Sequence, residues 1–451
     1  MKQKIEFYCT NCDYRPPKWL GCCPGCQEWG SVAEKQKMMQ SDNAAPLKNG
    51  SMLSLTTLDK VIFDSKNRML SGISEWDRVL GGGIMPGSFI VITGDPGIGK
   101  STLLLQIAHQ LSQGYTIFYF SSEESLEQVK MRAMRLRCDS GALYFSDQGN
   151  LESIIATAQE RKPHMVIIDS IQNCYSTTAQ TIPGTIGQLR ESAFHLMRLA
   201  KEHNIAVIVT GHITKEGTIA GPKMLEHMVD AVFYLQGEDR WQTRILRSVK
   251  NRFGTLNEIG FFEMNEYGLH EVSNINQQLI NEASYAPGSV VISYSEGSRP
   301  LLLELQALIV PSKFGIPQRV IFGLDQKQVV IIASILEKYL QIPFNAHDIF
   351  FKVSGGFKLK ESSADLGIAL ALLSSYCKKP LPAKSIALGE INLTGHIKSV
   401  NQINIHLNEA QKFGIETLFL AKKQKIDKEK GISATIHAFQ SVYELLGLFE
   451  E

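Results

Sequence analysis

The feature that most constrains this chain is a glycine-rich loop between an apolar segment and a segment with helical spacing. Residues 94–101 read GDPGIGKS and match the phosphate-binding pattern G-x-x-x-x-G-K-[S/T] in full. Residues 89–93 form an apolar run typical of a buried strand, and LLLQIAHQL follows the loop at helical spacing. This order predicts a mononucleotide site, with these residues expected to line it: Gly94, Asp95, Pro96, Gly97, Ile98, Gly99, Lys100, Ser101 and Thr102.

The loop also predicts which groups hold the nucleotide. Backbone N–H groups of the loop and of the following helix N-terminus point toward the phosphates. Lys100 is expected to reach the β- and γ-phosphates, and the hydroxyl of Ser101 is expected to bind Mg²⁺. The sequence therefore implies a nucleoside triphosphate and Mg²⁺ as cofactors.

Two apolar segments downstream end in carboxylates. The segment HMVIID ends in Asp169, which in a P-loop fold holds the Mg²⁺ shell as the Walker B residue. The segment TIFYFSSEES carries Glu123 and Glu124, and either carboxylate could polarise an attacking water. The alternative for either glutamate is a charge that stabilises a helix N-terminus.

Strand-like and helical segments alternate through this part of the chain. A further apolar segment, IAVIVTGH, ends at His212. Such alternation predicts an α/β fold with a mainly parallel sheet. Ligands in these folds bind at the carboxyl ends of the strands, which is where the candidate residues lie.

Five of the eight cysteines lie within the first 26 residues. They include two C-x-x-C knuckles, CTNC and CPGC, whose paired thiolates suit tetrahedral Zn²⁺. We expect Cys9, Cys12, Cys23 and Cys26 to bind one zinc ion in a ribbon over residues 1–30, with a redox dithiol as the alternative. Cys22 stands beside Cys23 and could replace it as a ligand, but the CPGC knuckle favours Cys23 with Cys26, which leaves Cys22 as an exposed thiol. Residues 31–50 are polar and predict a linker.

Charge and hydrophobicity exclude some classes of protein. Lys and Arg number 46 against 45 Asp and Glu, so a globally basic nucleic-acid coat is excluded, whereas a local basic patch is not. The sequence has no run of about 18 apolar residues, so no membrane span is expected. The N-terminal residues show no secretory apolar region, which favours a reducing, cytoplasmic location.

The ordered motifs resemble those of the RadA (Sms) family of bacterial DNA repair proteins. The resemblance covers the cysteine knuckles, the approach LSGISEWDRVLGGGIMPGS, the P-loop, and KNRFG at residues 250–254. It implies a RecA-like ATPase domain over residues 51–275, ATP as the nucleotide, and Glu123 as the catalytic glutamate. It further implies a hexameric ring that binds single-stranded and branched DNA and promotes branch migration with RecA during recombination.

The KNRFG segment has two possible roles. Lys250 and Arg252 lie two residues apart, so on a strand they share one face. They could stabilise phosphoryl transfer in a neighbouring subunit, as an arginine finger does, or contact DNA phosphates. The alternative is a solvated basic turn. The resemblance favours coupling of ATP to DNA, and the candidates for it are Lys250, Asn251, Arg252, Phe253, Gly254 and His212.

Residues 276–451 resemble the proteolytic domain of Lon proteases. The segment ESSADL places Ser363 at the position of the Lon nucleophile, but Asn404 stands where the Lon lysine base would be. Asn cannot accept a proton as a base at any useful pH. Lys398 is offset by about six residues. We therefore expect a scaffold without protease activity, in which Ser363 caps a helix N-terminus.

Overall fold

A computed structural model of the chain describes most of its residues. The described ranges are 5–9, 16, 18–26, 28–36, 56–60, 68–138, 141–177, 185–212, 225–237, 243–256, 258–313, 316–359, 361–426 and 434–450. The chain divides into two compact units, Met1–Asp64 and Ser65–Glu451.

The first unit contains a short antiparallel pair of strands. β1 (Ile5–Cys9) pairs with β2 (Val32–Gln36) so that Cys9 lies opposite Val32, and a 3-10 turn follows at Leu58–Lys60. The buried apolar cluster here consists of Cys9, Cys23 and Val32. Among the described residues of this unit, the apolar cluster is therefore small.

The second unit is an α/β structure built around two sheets. Its helices are α1 (Ser74–Val79), α2 (Lys100–Leu111), α3 (Leu126–Arg135), α4 (Leu151–Arg161), α5 (Ile186–His203), α6 (Ile275–Asn281), α7 (Gln326–Leu340), α8 (Asp365–Cys377) and α9 (Ile403–Lys412). Shorter 3-10 turns cover Ile171–Asn173, Phe344–Ala346, Ser354–Gly356, Ser362–Ala364 and Val442–Leu448.

A large sheet forms the first half of this unit. Its strands are β3 (Phe89–Gly94), β4 (Ile117–Ser121), β5 (Leu143–Ser146), β6 (Met165–Asp169), β7 (Ala206–His212), β8 (Ala231–Gly237), β9 (Thr243–Asn251), β10 (Ile259–Asn265) and β11 (Gly268–Glu271). Their order across the sheet is β11-β10-β9-β8-β3-β7-β6-β4-β5. The strands from β8 to β5 in that order are parallel, and β9 to β11 continue the sheet in antiparallel fashion.

The central strands of this sheet are buried on both faces. Every residue of β3, β4 and β6 is buried, which explains their continuous apolar runs without polar alternation. Parallel strands with this burial need helices on both sides. One side has a core that includes Leu104 of α2, and the other has a core that includes Leu196 of α5.

A second, mixed sheet forms the rest of the unit. Its strands are β12 (Ser289–Glu296), β13 (Arg299–Pro311), β14 (Arg319–Phe322), β15 (His347–Val353), β16 (Ser385–Leu388), β19 (Thr417–Ala421) and β20 (Thr435–Phe439), while β17 (Glu390–Ile391) and β18 (Ile397–Lys398) form a separate hairpin. Its order is β14-β15-β13-β12-β16-β19-β20. The almost wholly apolar helix α8 is buried along most of its length in the core of this sheet.

Charged side chains connect the two halves of the second unit. Arg299 of β13 donates to both carboxylate oxygens of Glu75 in α1, at 2.8 and 3.0 Å, and lies over the ring of Phe261. Arg247 of β9 pairs with Glu296 of β12. Arg299 and Glu75 are both largely buried, so removal of either partner would leave an uncompensated charge.

The α/β class predicted from the sequence is confirmed, and the predicted apolar strands form in the second unit. The domain boundary predicted between residues 275 and 276 lies at the start of α6, after the last strand of the first sheet and before the first strand of the second. It stays a prediction. Within the described residues, none of the helices combines the length and apolar character that crossing a membrane requires.

Candidate functional site

The glycine-rich loop lies at the carboxyl end of the central strand β3. The strand ends at Gly94 and α2 begins at Lys100, so the loop turns directly into a helix N-terminus. The Lys100 ammonium donates to the carbonyl oxygens of Gly94 at 2.9 Å and Asp95 at 3.0 Å. Only 5% of Lys100 is exposed, which places its charge beside the loop rather than in solvent.

Three carboxylates act electrostatically on the Lys100 ammonium. Burial lowers the pKa of the Lys100 ammonium, and the carboxylates of Asp169, Glu123 and Asp95 oppose this shift in that order. Side chains from β6, the β4 end and the loop therefore act on one ammonium. The three carboxylates lie on segments at the carboxyl ends of parallel strands, and their role at a nucleotide site stays a prediction.

Gly99 allows the loop to pass close to β10 where it enters α2. Its φ is +113°, and a Cβ there would lie 2.6 Å from Cε of Met264 on β10. The preceding residue is held as well, because Nε of Arg244 on β9 donates to the Ile98 carbonyl at 3.2 Å. The antiparallel extension of the sheet thus packs against the loop and supports its shape.

The Asp169 carboxylate accepts hydrogen bonds from two hydroxyl groups, one on each of the strands that flank β6. The Tyr119 hydroxyl of β4 donates to Oδ2 at 2.8 Å, and the Thr210 hydroxyl of β7 donates to Oδ1 at 2.6 Å. Asp169 is 7% exposed. Both carboxylate oxygens are therefore oriented by donors from neighbouring strands.

The two adjacent glutamates have different partners. Glu124 forms an ion pair with Arg132 of α3, whose two terminal nitrogens contact the two carboxylate oxygens. Glu123 instead accepts a hydrogen bond from the hydroxyl of Ser170, the residue after Asp169. These contacts direct the Glu123 carboxylate toward the end of β6 and the Glu124 carboxylate toward α3.

A pair of serines ties the ends of β4 and β6 together. The Ser122 hydroxyl donates to the Ser170 carbonyl at 2.8 Å, and the Ser170 N–H donates back to the Ser122 hydroxyl at 3.0 Å. The Ser122 N–H donates to the Asp169 carbonyl at 2.9 Å. These hydrogen bonds fix the distance between the end of β4, which precedes Glu123, and the end of β6, which carries Asp169.

The residues present fit a magnesium nucleotide. Mg²⁺ prefers oxygen ligands, and the hydroxyl of Ser101 with the carboxylate of Asp169 supplies them. The phosphates would meet the N–H groups of residues 95–101 and the Lys100 ammonium. His212 ends β7 opposite Gly94 in the strand register, which places its backbone beside the loop, while its side chain lies outside the described residues.

Lys250 and Arg252 both contact the segment before β8. The Lys250 ammonium donates to the carbonyl oxygens of Glu226 and Val229, the latter at 2.8 Å. The Arg252 guanidinium lies 3.4 Å from the Asp230 carboxylate, and its side chain is 60% exposed. β9 ends at Asn251, so Arg252 follows the strand and does not share a strand face with Lys250, and its side chain is open to an external partner.

The KNRFG segment lies at the opposite end of β3 from the P-loop. Asp230, the partner of Arg252, accepts from the N–H of Phe89, the first residue of β3. The loop follows Gly94, the last residue of that strand. At about 3.3 Å per residue, roughly 17 Å of strand separates the two places.

The remaining KNRFG residues hold the turn in place. The Asn251 side chain is buried, donates to the Val79 and Leu80 carbonyls and accepts from the Phe253 N–H at 2.9 Å. A Cβ on Gly254 would lie 2.7 Å from Cα of Gly81, so the two backbones meet where only glycines fit. Arg68 also joins the two backbones, because its guanidinium donates to the Phe253 and Gly81 carbonyls.

Three of the four predicted zinc ligands converge in the first unit. The sulfur atoms of Cys9, Cys23 and Cys26 all lie within 4.8 Å of one another, and those of Cys9 and Cys26 are 3.6 Å apart. Thiolates about 2.3 Å from a tetrahedral zinc lie ~3.8 Å from each other, so the spacing fits the ion. Cys12 lies outside the described residues, and Cys22 is not a member of the cluster.

The position of Ser363 corrects one expectation. The N-cap of α8 is Ala364, with no side-chain cap, so Ser363 does not cap this helix. Ser363 lies in the preceding 3-10 turn, and its hydroxyl is 3.5 Å from the Glu361 carboxylate. The 3-10 turn moves the helix start one residue along, which removes the capping geometry that the sequence suggested.

A cleft of about 570 Å³ surrounds Ser363. Its lining residues are Ser295, Gly297, Glu361, Ser362, Ser363, Glu390, Ser399, Val400, Asn401, Gln402 and His406. Asn404 is exposed at the start of α9 and does not line the cleft. The Lys398 ammonium lies 3.8 Å from the Glu390 carboxylate.

Tyr119, Thr210 and Ser170 were missed by sequence reasoning. A weak signal exists for the first two, because each is a hydroxyl residue inside an otherwise apolar buried strand. Such a hydroxyl needs a hydrogen-bond partner when it is buried. The sequence gives no information on which carboxylate that partner is, since the contacts join different strands.

Two protein families match parts of the chain. The family described as an AAA domain matches residues 57–218, which contain the P-loop, Glu123 and Asp169. The family described as subunit ChlI of Mg-chelatase matches residues 312–424, which include strands β14 to β19 and the helices between them.

Several curated proteins match nearly the whole chain. A protein named DNA repair protein RadA from Streptococcus pyogenes serotype M1 is 45% identical over 434 residues, covering 96% of each chain. Proteins of the same name are 41% identical in Listeria monocytogenes serovar 1/2a, covering 94% of this chain and 93% of that one, and 43% identical in Brucella abortus strain 2308, covering 92% and 91%. Identity at this level extends across both units.

Proposed function

The chain belongs to the RadA family of DNA repair proteins, and on that premise we propose that it is a DNA-dependent ATPase of homologous recombination and DNA repair. The observation that carries the proposal is the convergence of Asp169 and Glu123 on Lys100 at the end of β3. Nucleotide hydrolysis in P-loop proteins uses a phosphate-binding lysine, an Asp that holds Mg²⁺ and a residue that orients the attacking water, and these three residues supply those groups.

The nucleotide would be bound by the loop itself. Backbone N–H groups of residues 95–101 and the Lys100 ammonium bind the phosphates, and Ser101 with Asp169 binds Mg²⁺. When bound, Mg²⁺ neutralises charge on the phosphate oxygens. Lys100 must release the Gly94 and Asp95 carbonyls to reach the phosphates, which exchanges neutral acceptors for anionic ones.

Glu123 is the proposed general base. Its carboxylate would orient the attacking water and accept a proton from it, and the Ser170 hydroxyl holds that carboxylate at the edge of the site. Glu124 is less suited because its two oxygens are engaged by Arg132. A water that approaches Glu124 would have to compete with a charge-assisted pair.

Lys250 and Arg252 are proposed to couple ATP to DNA from outside the P-loop of their own subunit. Their place at the amino end of β3 supports this, because the nucleotide loop lies at the other end. Two targets remain in the proposal, the phosphates of a neighbouring subunit and the DNA backbone. His212 is proposed to connect the γ-phosphate to the segment that follows β7.

One variant separates the two targets. Arg252→Ala should lower ATP hydrolysis in the absence of DNA if the guanidinium acts on a neighbour's phosphates, with DNA affinity unchanged. If it contacts DNA, the affinity for single-stranded DNA should fall and the salt dependence of binding should weaken by about one phosphate contact. Fluorescence anisotropy over a salt series, beside basal ATPase rates, distinguishes the outcomes.

The resemblance to the family supports a more specific proposal. We assign the chain a hexameric ring that binds single-stranded and branched DNA, promotes branch migration in the cytoplasm and works with the RecA recombinase after DNA damage. Zinc bound by Cys9, Cys12, Cys23 and Cys26 would stabilise the first unit. Displacement of a labelled strand from a three-stranded junction, with and without RecA, tests the motor activity.

The second sheet is proposed to be a scaffold rather than a protease. The Ser363 hydroxyl faces the Glu361 carboxylate at 3.5 Å, while Lys398 lies 3.8 Å from Glu390. A serine hydroxyl needs a base that takes its proton, and Asn404 stands where the Lon lysine base would be. These contacts support the view that the Ser363 region retains the shape of a Lon-like site without its chemistry.

A further inference from the structure

The carboxylate of Asp169 is held from both sides by residues to which the proposed function assigns no role. β6 lies between β4 and β7, with Ser121 opposite Asp169 on one side and Val209 opposite Ile168 on the other. Tyr119 reaches Oδ2 from β4, and Thr210 reaches Oδ1 from β7. Tyr119 is 3% exposed and Thr210 is fully buried, so water cannot replace either donor.

We infer that Tyr119 and Thr210 are positioning residues that set the Asp169 carboxylate for Mg²⁺. This inference rests on the proposed ATPase function and deepens it. A carboxylate at a strand end can rotate about two side-chain torsions. A short hydrogen bond to each oxygen restricts both torsions and fixes the direction of the lone pairs that remain.

Hydroxyl donors suit this task better than a cation would. Each hydroxyl donates one proton and leaves the oxygen a further lone pair, so the carboxylate keeps its acceptor capacity toward the metal's water shell. An ammonium or guanidinium in the same place would neutralise the charge that attracts the ion.

The supporting contacts of Tyr119 are consistent with a fixed donor. Its ring lies 5.5 Å from that of Phe145 on β5, which limits movement of the phenol. Thr210 is β-branched and lies inside a strand, so its side chain has few accessible rotamers. The two donors are therefore held by packing, independently of any nucleotide.

Two single variants remove one hydroxyl each. Tyr119→Phe and Thr210→Val keep the size of the side chain and delete the donor to Asp169. Thr210→Ser restores a hydroxyl at the same position. Tyr144→Phe is the matched control, since Tyr144 is an exposed tyrosine on the edge strand β5.

The readout is the Mg²⁺ dependence of binding fluorescently labelled ATPγS to the full chain, followed by polarisation. Partners of metal-binding carboxylates commonly contribute 10–100-fold to metal affinity. We expect the Mg²⁺ midpoint to rise about tenfold or more in Tyr119→Phe and Thr210→Val, and to stay within about twofold of wild type in Thr210→Ser and Tyr144→Phe. Binding without Mg²⁺ should be the same in all five proteins, which shows that the loop is intact.

The outcomes separate the inference from the function on which it rests. If wild-type binding depends on Mg²⁺ but both hydroxyl deletions leave the midpoint unchanged, the positioning role is wrong and the ATPase proposal stands. A purely structural role would lower the unfolding temperature of the variants without moving the midpoint, and it would contradict the inference in the same way. If wild-type binding is indifferent to Mg²⁺, the proposed Mg²⁺ site itself is wrong.

Discussion

Arg132 binds Glu124 through both terminal nitrogens of its guanidinium, with one contact of 2.6 Å between Nη1 and Oε2. The two residues are eight positions apart, and α3 brings the guanidinium back over the end of β4. A bidentate pair of this kind holds Glu124 away from the nucleotide loop. The neighbouring Glu123 keeps its contact with Ser170 and its effect on Lys100.

This relationship predicts different outcomes for two adjacent substitutions. Glu123→Gln should bind ATP with near-normal affinity and hydrolyse it at least 100-fold more slowly, because an amide cannot take the water's proton and general-base catalysis contributes about 10²–10⁴-fold. Glu124→Gln should retain most of its turnover while weakening the contact with Arg132. Single-turnover hydrolysis measures both. An inactive Glu124→Gln beside a normal Glu123→Gln would reverse the assignment.

The position of the site was predictable from the sequence, whereas its internal contacts were not. Gly94 to Ser101 follow a local pattern, and the apolar runs before them and before Asp169 indicate strands whose ends must meet. The choice between Glu123 and Glu124 depends on Arg132 and Ser170, which approach from other elements. Tyr119 and Thr210 likewise reach Asp169 only because β4 and β7 flank β6.

The start of α8 shows a different limit. The segment SSAD before an apolar helix has the residues of a capping motif, and the sequence alone favours Ser363 as the cap. The chain instead makes a 3-10 turn at Ser362–Ala364, and α8 begins at Asp365. Helix starts shift by a residue when tertiary contacts, here between Asp365 and the Ile391 N–H, hold the turn.

The cysteine cluster predicts one zinc ion per chain. Cys9→Ser and Cys26→Ser should each lose the ion and unfold the first unit, because the metal supplies its folding free energy. Thermal unfolding of the second unit should be unaffected. Cys22→Ser is the matched control and should keep its zinc, since Cys22 is outside the cluster. Metal analysis that finds no zinc in the wild type would contradict the ribbon.

Asp365 predicts a pH dependence of stability in the second sheet. Burial raises the pKa of this carboxyl from 3.8 to about 6, with Glu390 adding to the shift. The folded state then binds the proton more tightly than the unfolded chain, so the contribution is full below pH 3.8 and is lost as the pH rises through about 6. A shift of this size corresponds to about 3 kcal/mol.

The comparison that tests this is the unfolding temperature of wild type and Asp365→Asn between pH 4 and 7. The wild type should lose stability relative to the variant as the pH rises, because Asn carries no ionisable group. Asp365 accepts from the Gln328 side chain at 2.7 Å and from the Ile391 N–H at 3.1 Å, one donor to each oxygen. The amide oxygen of Asn can keep only one of these two bonds, so the proteins are compared by the pH slope of their unfolding temperatures and not by the absolute values. Parallel curves across that range would show that Asp365 titrates normally.

Ser363 predicts an absence of peptidase chemistry. An activity-based fluorophosphonate probe should not label the wild type, since Asn404 stands where the Lon lysine base would be and, of the described residues, it does not line the cleft around Ser363. Ser363→Ala should change the free energy of unfolding by at most about 0.5 kcal/mol, because the side chain makes no cap and only a 3.5 Å contact with Glu361. Labelling that disappears in Ser363→Ala would mean that another residue serves as the base.

The central claim is that ATP hydrolysis at the P-loop is coupled to DNA. The most direct measurement is the steady-state ATPase rate of wild type and Lys100→Ala, each without DNA, with single-stranded DNA and with a branched junction. The Lys100 ammonium donates to the carbonyl oxygens of Gly94 and Asp95, and its replacement removes no apolar side chain from the core, so the variant should fold normally. DNA should stimulate the wild type several-fold, and Lys100→Ala should stay at background under every condition. DNA-stimulated turnover in Lys100→Ala, or a wild-type rate that DNA leaves unchanged, would contradict the central claim.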